Sequence, residues 1–144
     1  MTDVFVLDTN VISETFKPTP DARVAAWMDS VPPLQAHITA PSKAELLSGL
    51  AIMPYGRRKI ALGAVIEAFF SRWLKTEILP FGSQEAEAYA EITAQRRKAG
   101  RPIKEFDAQI AAIARVRRFA VATRNVADFE HCGIEIINPW NPQP

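Results

Sequence analysis

The chain has little that would stabilise it covalently or anchor it in a membrane. Only one of its 144 residues is a cysteine, Cys132, so an internal disulfide is excluded, which suits a reducing compartment. No apolar run is long enough to cross a bilayer, and the first residues lack the basic segment that begins a signal peptide. Cys132 beside His131 offers too few ligands for a structural zinc site, which needs about four. These absences predict a cytoplasmic protein without a membrane segment.

The net charge is close to zero, at +1, but it is unevenly distributed. Residues 77–91 are acidic, whereas basic side chains dominate residues 96–124, where only Glu105 and Asp107 oppose them. A basic stretch in a near-neutral protein indicates an anionic partner such as a nucleic acid, although a solvated helix face is the common alternative. The basic side chains are those of Arg96, Arg97, Lys98, Arg101, Lys104, Arg115, Arg117, Arg118 and Arg124.

Short apolar runs alternate with amphipathic segments along the whole chain. Strands are predicted at residues 4–7, 37–39, 119–123 and 134–137, with a shorter one at 78–81. Helices are predicted from about residue 11, after residue 21, over 42–52, 57–75 and 83–99, and from about residue 104. Strands separated by helices imply a parallel sheet with helices packed on both faces. The sequence therefore predicts an α/β fold, in a single domain over residues 1–144.

Asp8 directly follows the first predicted strand and precedes a helix start. Ligands of open α/β sheets bind outside the carboxyl ends of the strands. Asp8 is therefore a candidate metal ligand or catalytic group. The alternative is that Asp8 or Asn10 only caps the following helix.

Other polar side chains occur at equivalent places. Glu45 lies in the first turns of the helix after the second strand, and Asp107 lies in the first turn of the Ala-rich helix before the strand at 119–123. Asn125 and Asp128 follow that strand, so all these side chains should meet at one edge of the sheet. Each also has an ordinary explanation. Asp107 could favourably contact the helix dipole, and Asp128 could form a turn. Glu45 could be a surface residue, although its apolar neighbours suggest a largely buried helix.

A cluster of carboxylates needs a cation or protons to persist, because like charges repel. Ligands that are all oxygen suit hard ions such as Mg²⁺ and Mn²⁺. An ion held in this way can polarise a phosphoryl oxygen and activate water, which is the chemistry that hydrolyses phosphodiesters. The joint pattern therefore predicts a metal-dependent hydrolase.

Four ordered blocks of the sequence resemble the PIN-domain family, and within it the VapC/FitB-type toxins. The blocks are Val6–Glu14, Ala44–Gly49, Pro102-Ile103 with Asp107–Ala114, and Val121–Phe129, and the resemblance extends to Trp140. The chain departs from the family pattern before two of the acids. Pro41-Ser42-Lys43 stands where a Thr-containing stretch is common, and Lys104-Glu105-Phe106 stands where small residues are usual; these changes concern substrate preference more than the metal site.

The resemblance implies a Mg²⁺- or Mn²⁺-dependent endoribonuclease, the toxin of a toxin–antitoxin pair that a small VapB-type antitoxin holds inactive. By position, Asp8, Glu45 and Asp107 match the three acids that hold the metal. The fourth acidic position falls between residues 125 and 128, where Asn125 could act as a neutral ligand or Asp128 could supply the charge. Further polar residues that match positions lining the site, and that could orient the carboxylates, are Thr9, Asn10 and Thr123.

Basic side chains are expected to contact the RNA backbone, which positions a strand without selecting its sequence. The expected contacts are Arg96, Arg97, Lys98, Arg101 and Arg124. The resemblance also implies a homodimer and an antitoxin-binding region on the helices at 42–52 and 57–75. These helices carry more apolar bulk than one core-facing side needs, unless all of it is core: Leu50, Ile52, Met53, Leu62, Phe69, Phe70 and Trp73.

Two other function classes share part of this pattern. A haloacid-dehalogenase-like phosphatase also has an aspartate at the end of its first strand, but it has a second aspartate two residues later, where this chain has Asn10. A non-catalytic PIN-like domain that binds RNA or protein would be expected to have lost one or more acids, and this chain keeps Asp8, Glu45 and Asp107. The sequence therefore favours the nuclease.

Overall fold

The computed structural model describes residues 3–72 and 77–142. Within them, four short parallel strands form one sheet in the order β2-β1-β3-β4, and six α-helices pack around it. This arrangement confirms the predicted α/β class, and none of the described helices is both long and apolar enough to cross a membrane. The strands are β1 (Phe5–Leu7), β2 (Ala36–His37), β3 (Ala120–Ala122) and β4 (Ile136–Ile137). The helices are α1 (Thr9–Thr15), α2 (Ala22–Ser30), α3 (Ala40–Ala51), α4 (Arg57–Arg72), α5 (Ser83–Lys98) and α6 (Glu105–Arg117).

The two faces of the sheet bury separate apolar clusters, because neighbouring residues of a strand point to opposite sides. Val6 and Val121 face one cluster, which α5 and α6 complete with side chains such as Ile110. Leu7 and Ala122 face the other cluster, which is built with residues of α1, α2, α3 and α4. Helices therefore cover both faces of the sheet, as the sequence predicted.

The register of the two central strands brings their carboxyl ends to the same level. Leu7 of β1 pairs with Ala122 of β3, and the Asp8 backbone N–H donates to the Ala122 carbonyl at 2.9 Å. The Thr123 backbone N–H donates in turn to the Ile137 carbonyl at 2.9 Å. Asp8 and Thr123 therefore lie side by side where the strands end.

Two local predictions need correction, and one extends beyond the described residues. Residues 78–81 form no strand, because Pro80 has no N–H to donate; Leu79 makes a single parallel bridge to Thr39. Helix α3 is not largely buried, since it packs on one side only and Leu47 is 42% exposed. The helix predicted over 57–75 is observed as Arg57–Arg72, and the last predicted part, with Trp73, lies outside the described residues.

The apolar side chains of α3 and α4 divide between the core and the surface. Phe69 is 8% exposed and belongs to the core, whereas Ile52 is 82% exposed and Tyr55 in the connecting turn is 88% exposed. Leu50, Met53, Leu62 and Phe70 are partly buried. Exposed apolar side chains that lie near one another mark interaction surfaces. The α3–α4 apolar surface consists of Leu47, Ile52, Tyr55, Ile60 and Val65.

Candidate active site

A cavity of about 460 Å³ opens at the carboxyl edge of the sheet. The ends of β1 and β3 reach it, together with residues of α1, α3 and α6 and of the turn after β3. It contains all four acids that the sequence singled out, and one more. The carboxylates that line it are Asp8, Glu14, Glu45, Asp107 and Asp128.

Asp8 caps α1 and also lines the cavity. Its backbone is extended (φ −66°, ψ 153°), and its Oδ1 accepts the Thr9 backbone N–H at 2.7 Å. Its Oδ2 accepts the Thr123 hydroxyl at 2.8 Å. Because the cap comes at residue 8, α1 begins at Thr9, two residues before the predicted start. Asp8 is 5% exposed, so both oxygens are fixed in a nearly buried carboxylate.

Thr123 connects the polar residues at the end of β3. Besides donating to Asp8, its Oγ1 accepts the Asn125 backbone N–H at 3.0 Å and lies 3.5 Å from the Asn10 side-chain nitrogen. The Asn10 carbonyl oxygen accepts the Arg124 backbone N–H at 3.4 Å. Thr123 is fully buried. Asn10 and Thr123 therefore hold the chain after β3 against the start of α1.

Glu45 is oriented by the start of α1. The Thr9 hydroxyl donates to Glu45 Oε1 at 2.8 Å and lies 3.1 Å from the Ser42 Oγ. Ser42 is fully buried, and its backbone N–H donates to the Thr39 hydroxyl at 3.2 Å, which caps α3. The sequence argument gave Ser42 no role, although it lies three residues before Glu45 and so on the same helix face.

Burial and neighbouring carboxylates raise the proton affinity of Asp107 and Asp8. The pKa of Asp107, in the first turn of α6, rises from an ordinary 3.8 to about 6, first through burial and then through the negative charges of Asp8, Asp128 and Glu45. The pKa of Asp8 is also raised, mainly by burial, despite the hydrogen bonds that it accepts. Perturbed acids that share a cavity are typical of functional sites.

The donor set fits a hard divalent cation. Oxygen ligands that repel one another are stabilised by such an ion. Within residues 3–72 and 77–142, no three His, Cys, Asp or Glu side chains have the geometry to hold a metal ion as they stand. Mg²⁺ usually keeps several waters, so the acids of such a site can bind it partly through water.

Asn125 and Asp128 both line the cavity, from either end of a short 3₁₀ turn (Val126–Phe129). Asp128 is the one whose charge raises the pKa of both Asp8 and Asp107. Asn125 contributes its backbone N–H to Thr123. Of the two, Asp128 is the one that adds negative charge beside Asp8 and Asp107.

Arg96 does not face solvent, so the prediction that it contacts RNA is wrong. It is 4% exposed, and its guanidinium donates to the carbonyls of Arg101 at 2.7 Å, Ala127 at 3.0 Å and Glu130 at 2.8 Å. These carbonyls belong to the segment before α6 and to the segment that carries Asp128. Arg96 therefore ties together two segments that border the cavity.

Further residues at the cavity were missed by the sequence argument. Ser13, Glu14 and Lys17 line it, and with Asn10 they follow the three- and four-residue spacing of one helix face, which is the signal that identifies them. Glu14 is 5% exposed; it accepts the Asp21 backbone N–H at 2.9 Å and lies 2.9 Å from the Lys17 ammonium.

Comparison with known proteins places the chain among proteins of the same architecture. A sequence model of the PIN domain matches residues 5–133. A VapC ribonuclease of Sinorhizobium fredii is 41% identical over 96% of this chain and 99% of its own length. The toxin FitB of Neisseria gonorrhoeae is 36% identical over 96% of this chain and 99% of its own.

Solved structures agree with the sequence relatives. FitAB bound to a DNA fragment contains a chain with a TM-score of 0.90 and 34% identity, covering 98% of this chain and 99% of that one. DNA-bound VapBC of Salmonella typhimurium gives a TM-score of 0.79 at 30% identity, covering 98% and 100%. Each of these two structures covers 98% of this chain.

Proposed function

The chain belongs to the PIN-domain family, and on that premise we propose that it is a metal-dependent endoribonuclease, the toxin of a VapBC-type toxin–antitoxin pair. The observation that carries the proposal is the meeting of Asp8, Glu45 and Asp107, with Asp128, in one cavity at the carboxyl edge of the sheet. The names of the relatives, VapC ribonuclease and tRNA(fMet)-specific endonuclease VapC, support hydrolysis of RNA. In this proposal the whole chain acts as one PIN domain.

Asp8, Glu45 and Asp107 would hold Mg²⁺ or Mn²⁺, and Asp128 would add negative charge beside them. Such an ion, when bound, polarises a phosphoryl oxygen and lowers the pKa of water. The chain's own residues fix the carboxylates: the Thr123 hydroxyl holds Asp8, and the Thr9 hydroxyl holds Glu45. Neighbouring groups of this kind keep ligands oriented before the ion arrives.

The partners in this proposal are a VapB-type antitoxin and a second copy of the chain. Relatives were solved as FitAB and VapBC complexes, which supports an antitoxin as partner. The α3–α4 apolar surface supports contact with a protein, because side chains such as Ile52 and Tyr55 are largely uncovered. An RNA substrate and an antitoxin partner place the proposed activity in the cytoplasm.

The test is cleavage of a mixed RNA pool by purified protein free of antitoxin, with Mg²⁺, with Mn²⁺ and with EDTA. We expect cleavage that requires the divalent ion and that disappears in Asp8→Asn and Asp107→Asn. Glu105→Gln is the matched control, because Glu105 is an exposed acid in the same turn of α6 as Asp107 and does not line the cavity.

Two outcomes would contradict the proposal. Full cleavage by a correctly folded Asp8→Asn or Asp107→Asn protein would remove that residue from the mechanism. Folded wild-type protein that neither cleaves the pool nor binds a divalent ion would favour a non-catalytic PIN-like domain.

A further inference from the structure

The acidic cavity also has three basic side chains in its wall. Lys17 follows α1, Lys104 precedes α6, and Arg124 follows Thr123 after β3, so the three come from different parts of the chain. We propose that this cationic rim, Lys17, Lys104 and Arg124, binds the phosphates of an RNA strand next to the bond that is hydrolysed. The inference rests on the proposed function and adds the residues that hold the substrate.

The guanidinium of Arg124 stacks on an aromatic ring. Its guanidinium carbon lies 5.2 Å from the centre of the Trp140 ring. Trp140 is 6% exposed, and its backbone N–H donates to the Asn138 side chain at 2.9 Å. A guanidinium stacked on an aromatic face keeps its in-plane N–H donors available, and these match the geometry of a phosphate. Since Arg124 itself is exposed, those donors can meet a ligand at the cavity.

The two lysines flank the same acids. Lys104 lowers the pKa of Asp107 through its positive charge, so it lies within electrostatic reach of that carboxylate. Lys17 lies 2.9 Å from Glu14 Oε1, and its side chain is 57% exposed. Glu14 thus fixes the ammonium at the cavity without covering it.

The three rim cations differ from most of the basic residues that the sequence predicted to contact RNA. Arg96 is buried, and Arg101, which pairs with Glu130 at 2.8 Å, does not line the cavity. Arg97 and Lys98 are exposed at the end of α5 but do not line the cavity. Position relative to the acids, rather than density of charge along the chain, therefore identifies the phosphate contacts.

Five carboxylates and only three cationic side chains line the cavity, so removing one carboxylate weakens the repulsion of phosphate. The binding test therefore uses Asp107→Asn as the background, which removes one carboxylate and prevents hydrolysis. The probe is a fluorescently labelled single-stranded RNA, and its affinity is measured by anisotropy over a series of KCl concentrations.

The readout is the slope of log K against log salt, which for single strands changes by about 0.7 for each phosphate contact. In the Asp107→Asn background, we expect Lys17→Gln, Lys104→Gln and Arg124→Gln each to make the slope shallower by about 0.7. Lys104→Arg should restore the slope, since the charge returns. Arg97→Gln and Lys98→Gln are the matched controls and should leave the slope unchanged. Circular dichroism verifies that every variant is folded.

An unchanged slope in the three rim variants would overturn the proposal, and a shallower slope in the two controls would place the strand on α5 instead. RNA that does not bind the background protein at all would also overturn it. The proposed function is tested separately by cleavage with wild-type protein. Cleavage with unchanged rim slopes refutes the rim alone. Rim-dependent binding by a protein that neither cleaves RNA nor binds a divalent ion refutes the nuclease and leaves the binding site.

Discussion

Replacing Asp107 with asparagine should stabilise the metal-free protein above about pH 6. The folded state raises the pKa of this carboxyl from 3.8 to about 6, because burial and the charges of Asp8, Asp128 and Glu45 disfavour ionisation. The folded state therefore binds more protons than the unfolded state between these two values, and the free energy of unfolding falls as the pH rises through them. Above the folded pKa of about 6, the wild type has lost all of this free energy of unfolding, and below pH 3.8 it has lost none of it.

The size of the effect follows from the shift. At about 1.4 kcal/mol per pKa unit, the full shift corresponds to about 3 kcal/mol. Solvent screens part of this because the side chain is only partly buried, so we expect Asp107→Asn to add about 1–2 kcal/mol to the free energy of unfolding near pH 7.5. Asparagine has a similar shape and no charge, and the gain should vanish near pH 4.

The assay is urea denaturation in EDTA at both pH values, with Glu105→Gln as the control. Glu105 lies in the same first turn but is exposed, and its loss should cost a few tenths of a kcal/mol through the helix dipole. With Mg²⁺ present the advantage of Asp107→Asn should shrink, because an ion bound to the folded wild type stabilises it. The reasoning is refuted if Asp107→Asn is no more stable than wild type near pH 7.5, or gains equally at pH 4.

Two further predictions concern the segments around the cavity and the partner surface. Arg96→Met should lower the free energy of unfolding by about 2–4 kcal/mol, because three buried carbonyls lose their donor. The exposed neighbour is the control, and Arg97→Met should change the free energy of unfolding by less than about 0.5 kcal/mol. Equal effects in urea denaturation would contradict the buried role of Arg96. The double variant Ile52→Asp, Tyr55→Asp should retain RNA cleavage and bind the cognate antitoxin at least about tenfold more weakly by calorimetry; unchanged antitoxin affinity would exclude the α3–α4 apolar surface as its binding region.

The sequence predicted those features that depend on local pattern. Val6 and Val121 lie in apolar runs between helices, which was enough to predict parallel strands and helices on both faces. Asp8 and Asp107 stand at the end of a strand and the start of a helix, and the geometry of parallel sheets brings such positions to one edge. The spacing of Asn10, Glu14 and Lys17 is equally local, although Glu14 and Lys17 were not predicted at the site.

What the sequence could not show depends on contacts between distant residues. Arg96 and Arg97 are adjacent and chemically identical, yet Arg96 is buried because carbonyls from residues 127 and 130 meet it. Likewise, nothing near Arg124 in the sequence shows that Trp140 lies beneath its guanidinium. The sheet order β2-β1-β3-β4 depends on pairing of β1 with β3, which are more than a hundred residues apart. Charge along the chain therefore could not distinguish structural arginines from those at the cavity.

The double engagement of Asp8 has an evolutionary consequence. An asparagine there would keep an oxygen for the Thr9 N–H, but its amide would face a Thr123 hydroxyl that already accepts the Asn125 N–H. A single nucleotide change would therefore abolish the charge while preserving the contact that caps α1. In a lineage without selection for toxicity, such a gene would continue to encode a folded protein. The fold would then persist without the activity and could acquire another role.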